Sequence, residues 1–350
     1  MIGRRTLIGA GLALAATRAG AAVPDSKPRA IDALVLPAGF GGVIGYGRGG
    51  RLVHLRCAGM ADVEAGRPVT PATRFRWGSA SKWLASAAVL RLVDMGRLAL
   101  DAPVSRYLPD FRADTGAQVR LVHLLSNTSG IPDLLSREVA SNPGLRSSNA
   151  SAAAMVARFA DGDLAFAPGS GWDYAALNWV IIAAMVERVT GQPFADALER
   201  LAIRPIGLPD TGFAQAGAPE MPALAAAYAT TAPVARKMSP APAFIAATGN
   251  VASTAADAVR AAHGIFNGRL LRPASRVALA TVRWPAEAYA LGGRVRDIAG
   301  ARWAWEAGRV GGYRALIAHR LGSDETVVAF NNTDVAQSTI GGWVETIARA

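Results

Sequence analysis

Cysteine is almost missing from this 350-residue chain: Cys57 stands alone, so no disulfide can close within it. Histidine is scarce too. His54, His123, His263 and His319 are widely separated, and neither an H-E-x-x-H nor a C-x-x-C spacing occurs. Spacing therefore offers no metal site, and no cofactor is expected. Lysine is the third scarcity: Lys27, Lys82 and Lys237 are the only three among 37 basic residues. The net charge is +11, yet the arginines are scattered and form no basic stripe with interleaved aromatics. That argues against nucleic acid as a partner. No G-x-S-x-G elbow exists, which removes the usual strand-turn-helix signature of a Ser-His-Asp hydrolase. Gly39, Gly41, Gly42 and Gly45 miss the G-x-G-x-x-G spacing and precede a strand pattern, so they read as turn chemistry rather than a dinucleotide site. There is no internal repeat.

What is present is a globular composition, 51% hydrophobic and 18% charged, long enough for a large core. Residues 1–22 read as an export signal. Arg4-Arg5 form a basic start, Leu7 to Ala16 a short apolar segment, and Ala19-Gly20-Ala21 a small-residue cleavage region. Arg4-Arg5-Thr6-Leu7-Ile8 also resembles a twin-arginine signal. The apolar segment is too short to span a bilayer, so a periplasmic or secreted protein with no stable membrane insertion after signal removal is expected. Strand patterns lie near both ends: a hairpin of Val43–Tyr46 and Leu52–Leu55 about Gly47-Arg48-Gly49-Gly50, then Trp303–Trp305, Ala315–His319 and Thr326–Phe330. Helical patterns fill the middle, at Ser81–Val93, Ala152–Ala160, Trp179–Val189 and Pro193–Ile203. Further helices are expected at Ala255–Phe266, N-capped by Thr254, and at Ile340–Arg349. Ser136 to Ser151 reads as a mobile excursion, and Ala214 to Ala243 as irregular connection. The fold class is therefore α+β. One antiparallel sheet is built from the N- and C-terminal segments (about 31–78 and 245–350), flanked by helices, with an inserted helical region (about 79–244) in a single 23–350 domain.

The chemistry centres on Gly78-Ser79-Ala80-Ser81-Lys82. Ser79 is a good N-cap, and the helix that follows is apolar on more than half its circumference. Ser79 and Lys82, three apart on one helix, can meet. A hydroxyl beside an amine that can lose its proton is an activated nucleophile. Arg stays protonated and cannot serve, and this chain uses Arg nearly everywhere that charge alone matters. Lys82 therefore stands out.

The order of four stretches resembles the serine β-lactamase-like family: class C β-lactamases, D-Ala-D-Ala carboxypeptidases, D-aminopeptidases and related esterases. They are Pro68-Val69-Thr70-Pro71 through Lys82; Leu124-Leu125-Ser126-Asn127-Thr128-Ser129-Gly130-Ile131-Pro132; Pro168-Gly169-Ser170-Gly171-Trp172-Asp173-Tyr174; and Ser253-Thr254-Ala255-Ala256-Asp257. The resemblance implies Ser79 as the acylated nucleophile and Lys82 as its activating amine. It implies Tyr174 as the phenol that passes the proton to the leaving group. The oxyanion hole would be the backbone N–H groups of Ser79 and Arg309. Three departures stand out. The Tyr-x-Asn motif is Tyr174-Ala175-Ala176, with Asn178 the nearest amide. The third motif, Lys or His then a small residue then Gly, is Glu306-Ala307-Gly308, so a substrate-binding cation has become an anion. The His before Thr-Ser-Gly is Asn127, expected to be a structural change.

A Glu306 carboxylate near Lys82 would favour the ammonium and repel a substrate carboxylate, with Arg309 as its expected partner. These features imply an exported serine hydrolase that forms an acyl-enzyme on a small ester or amide and is a poor β-lactamase. The alternative is a weak or inactive penicillin-binding-like protein that holds cell-wall fragments. Small-molecule or peptide-like substrates are the expected partners.

Overall fold

The computed structural model describes residues 26–215 and 220–350. The expected signal at 1–22 lies outside the described residues. A six-stranded antiparallel sheet runs in the order Arg294–Ile298, Ala301–Val310, Tyr313–Arg320, Glu325–Asn331, Gly42–Arg48, Arg51–Ala58. The N-terminal hairpin joins the C-terminal meander through Gly42↔Asn331 to Arg48↔Glu325, so both ends of the chain build one sheet. The hairpin turn is tighter than its sequence suggested. The strands pair as far as Arg48↔Arg51, leaving Gly49 and Gly50 at φ +60° and +72° as a two-residue loop.

Both faces of this sheet are covered, which is why Tyr313–Arg320 and Glu325–Asn331 are buried nearly throughout and carry the apolar runs Ala315 to Ala318 and Val327 to Phe330 rather than an alternation. Ser26–Asp32 and Gln337–Arg349 cover one face, where Ile44, Trp303, Leu316, Ile340 and Val344 pack together. On the other face Val43, Ala304, Ile317 and Val328 join the main core of the helical region. That region is centred on helices Lys82–Asp94 and Ala176–Thr190, buried from Lys82 to Leu90 and from Leu177 to Val186. A small antiparallel sheet (Phe75–Arg76, Val251–Ser253, Gly212–Phe213) ties the two ends of the helical insertion together. Among the described residues no helix is long and apolar enough to cross a membrane.

Three segments differ from expectation. Ser136 to Ser151 is not a loose excursion: Leu134–Ser141 is helical and Pro143–Ser147 forms a tight turn over buried Leu135 and Leu145. Within 214–243, Tyr228–Thr231 pairs with Val234–Arg236. Strand Arg294–Ile298 was not foreseen.

Candidate active site

Strand Phe75–Arg76 fixes the approach to Ser79. Trp77 N donates to Val251 O at 2.8 Å, and Gly78–Ser81 then makes one tight turn before the helix at Lys82. The edge strand Arg294–Ile298 stops pairing with its neighbour at Trp305, so from Glu306 onward that neighbour has a free edge. The Gly78 turn lies along it. A Cβ on Gly308 would sit 1.7 Å from Trp77 O and 3.0 Å from Ser79 N, and one on Gly78 would sit 2.7 Å from Arg309 N. Glycine at both positions lets the two backbones touch. The N–H groups of Ser79 and Arg309, the candidate oxyanion donors, come together for that reason.

Ser79 is half-buried and does not cap the helix as expected: no side-chain cap is present there. Among the described residues its Oγ has no hydrogen-bond partner, whereas Ser81 Oγ, two residues on, is buried and accepts from Val251 N at 3.2 Å. Of the two serines, Ser79 is the one left free to react.

Lys82 is 3% exposed. Its Nζ donates to Thr248 O at 3.0 Å and lies 5.0 Å from the centre of the Tyr174 ring and 5.4 Å from that of Trp179. Two π-faces and one carbonyl therefore replace water around the amine. Tyr174 is 38% exposed and leans on Trp172 and Tyr289, with ring centroids 6.0 and 6.2 Å away. Ser79, Lys82, Tyr174 and Arg309 line one cavity of about 230 Å³. Ser79 and Lys82, expected to meet, share no hydrogen bond: the amine donates to Thr248 O instead, and the Tyr174 phenol makes no hydrogen bond among the described residues. A larger cavity of about 490 Å³ lies elsewhere, around Phe111, Val156 and Ala184, and contains none of these groups.

Several sequence expectations need correction. Asn178 does not face the substrate cavity. It is 1% exposed, accepts from Ser129 Oγ at 2.7 Å and donates to Asn127 Oδ1 at 3.2 Å. Asn127 itself sits at φ +59°, a conformation Asn tolerates, which fits a structural role. Ala307 packs with the outer apolar layer, on the far side of the sheet from Ser79. Glu306 is 1% exposed and is not in the cavity lining. Its partner is Arg294, at 3.5 Å, and not Arg309, which is exposed. Burial pushes the Glu306 carboxyl up to about 7, and the Arg294 and Lys82 charges oppose that rise. Neighbouring Tyr289 is fully buried, and burial holds its phenol well above the usual range. The carboxyl thus lies inside the protein, outside the cavity lining, where it does not meet a substrate.

The sequence reading also missed groups that do line the cavity. Asp133 accepts from Ala176 N at 2.7 Å, Ser136 N at 3.0 Å and Ser136 Oγ at 2.6 Å, so one carboxylate caps two helices at the cavity wall. The spacing Asp133-x-x-Ser136 is an N-cap signal that could have identified it. The opposite wall, around Ser239 and Ile245, carries no motif. Among the described residues no cluster of His, Cys, Asp and Glu is arranged to hold a metal ion.

A β-lactamase family model matches residues 31–344. The chain belongs to that family. It is 42% identical over 187 residues to the esterase EstB of Burkholderia gladioli, covering 50% of this chain and 47% of that protein. It is 30% identical over 175 residues to the putative penicillin-binding protein PbpX of Bacillus subtilis strain 168, covering 50% of this chain and 42% of that protein. The matched stretch thus spans less than half the length of each. The D-amino acid amidase of Ochrobactrum anthropi SV3 superposes with a TM-score of 0.76 at 20% identity, covering 93% of this chain and 96% of that one, a likeness of fold.

Proposed function

We propose that this protein is an exported serine hydrolase that acts through an acyl-enzyme on a small ester or amide, with Ser79 as nucleophile. The observation that carries this reading is the convergence of Ser79, Lys82 and Tyr174 on one cavity, with the amine withdrawn from water and the serine hydroxyl uncommitted. Lys82, as the neutral amine, takes the Ser79 proton while Oγ attacks the carbonyl carbon. The N–H groups of Ser79 and Arg309 hold the developing oxyanion. Tyr174 relays the proton to the departing alcohol or amine, and water then releases the acyl group by the same path in reverse. The likeness to an esterase supports ester substrates. β-Lactams are expected to turn over slowly, because the third-motif side chain offers no cation to their carboxylate and points to Arg294 instead.

The bond from Lys82 Nζ to Thr248 O favours a second reading, a protein that binds cell-wall fragments with little turnover. p-Nitrophenyl butyrate separates the two. Steady turnover that Ser79→Ala abolishes supports the hydrolase. Absence of turnover together with retained muropeptide binding supports the binding protein.

A further inference from the structure

The cavity at Ser79 does not end at its own wall. A second cavity of about 180 Å³ adjoins it, and Ser136, Ala176, Ser239, Pro240, Ile245 and Thr248 line both. Beyond those shared residues its surface is mostly apolar: Leu135 and Phe244 are 2% exposed, and Val139 and Pro242 sit beside them. We propose that this groove is the acyl subsite of the hydrolase, shaped for an unbranched aliphatic chain of about four to six carbons. The inference rests on the hydrolase reading above and adds the substrate class to it.

Three features support that assignment. First, the groove is held open by polar contacts behind its walls. Arg76 Nη1 donates to Ser239 O at 2.7 Å and Asn250 Nδ2 donates to Pro242 O at 3.0 Å, which pins the 239–245 wall. Asp133 fixes the start of helix Leu134–Ser141, which forms the other wall. A preformed apolar groove costs little to fill, because no side chain must be reordered. Second, the direction of the groove separates the two halves of a substrate. Tyr174 and Arg309 border the first cavity and are absent from the groove. The phenol that protonates the leaving group must face that group, so the acyl half occupies the opposite arm. Third, its size sets a limit. A groove of about 180 Å³ holds roughly six water-sized groups. Chains beyond that length outgrow the groove and gain no more burial.

The test is a series of p-nitrophenyl esters, acetate through decanoate, on the full chain. Burial of a methylene is worth about fourfold in kcat/KM when complete. The expected result is a rise of roughly two- to fourfold per methylene up to hexanoate, then a plateau. Val139→Trp, which fills the groove, should lower the ratio of hexanoate to acetate kcat/KM by at least tenfold. Inhibition of the unaltered protein by n-alkylboronic acids gives the same answer without a substitution, since inhibition constants should fall from methyl to pentyl and then level. Turnover with no dependence on acyl length, or a hexanoate preference untouched by Val139→Trp, overturns the subsite and leaves the hydrolase standing. No turnover of any ester, acetate included, overturns both.

Discussion

Glu306→Gln removes a buried charge without changing the shape of the side chain, and its effect can be worked out in advance. The Glu306 carboxyl is buried completely, lies 3.5 Å from Arg294 Nη1 and is pushed up to about 7 from an ordinary 4.5, chiefly by loss of solvent. One unit of pKa is worth 1.36 kcal/mol, so carrying the ionised form in the folded chain costs about 3 kcal/mol relative to the unfolded chain. The folded value lies above the unfolded one. Between pH 4.5 and about 7 the native state therefore holds more protons than the unfolded state, and stability falls as pH rises through that window. Gln does not titrate. Urea unfolding of parent and variant from pH 4 to pH 8.5 cancels every other carboxylate, and the variant should gain on the parent by about 3 kcal/mol across the range. The gain should be complete by pH 8. A stability difference that is flat with pH would mean that Glu306 keeps one charge state throughout, against the titration set out above.

Three further outcomes follow from the same geometry. Lys82→Arg keeps a cation against Tyr174 and Trp179 but cannot give up its proton, so kcat for p-nitrophenyl butyrate should drop by roughly 100-fold or more with the fold intact by circular dichroism. Gly308→Ala drives a methyl group into Trp77 O and pushes the strand away from Ser79. Melting should drop by an amount equivalent to about 1–3 kcal/mol, and kcat by roughly 100-fold as the Arg309 N–H leaves the oxyanion position. Glu306→Lys, which would restore the sign usual at the third motif, should not create a β-lactamase. It buries an ammonium beside Arg294 and Lys82, at a cost of about 3–5 kcal/mol, so loss of soluble protein is expected and a gain in nitrocefin turnover would contradict the buried placement.

That Ser79 and Lys82 line one cavity was legible because two local signals coincide there: a rare Lys in an Arg-rich chain and an apolar helix with that Lys on its first turn. Tyr174 was legible only through the order of segments, since nothing local separates it from any half-buried aromatic. Glu306 shows where reading the sequence fails. Strand alternation places Trp303 and Trp305 toward the terminal helices and Ala304, Glu306 and Gly308 toward the main core. Inward is not the same as into the cavity. Arg294 takes the carboxylate from the neighbouring arm of a hairpin that turns at Ala299-Gly300, a strand that was not read from the sequence. Asn178 was misplaced for a similar reason: Ser129 and Asn127, from a distant loop, satisfy its amide. The 239–245 wall looked like irregular connection because its position depends on Arg76 and Asn250, and not on its own Pro- and Ala-rich composition.

Covalent labelling reads out whether Ser79 is the hydroxyl that accepts the acyl group. The folded protein is treated with a fluorophosphonate, its intact mass is measured, and the adduct is located by peptide mass spectrometry. One adduct on the peptide containing Ser79, located to Ser79 rather than Ser81 and lost in Ser79→Ala, is the predicted result. A folded protein that takes no label, or takes it at Ser81, Ser136 or another hydroxyl, would contradict the account.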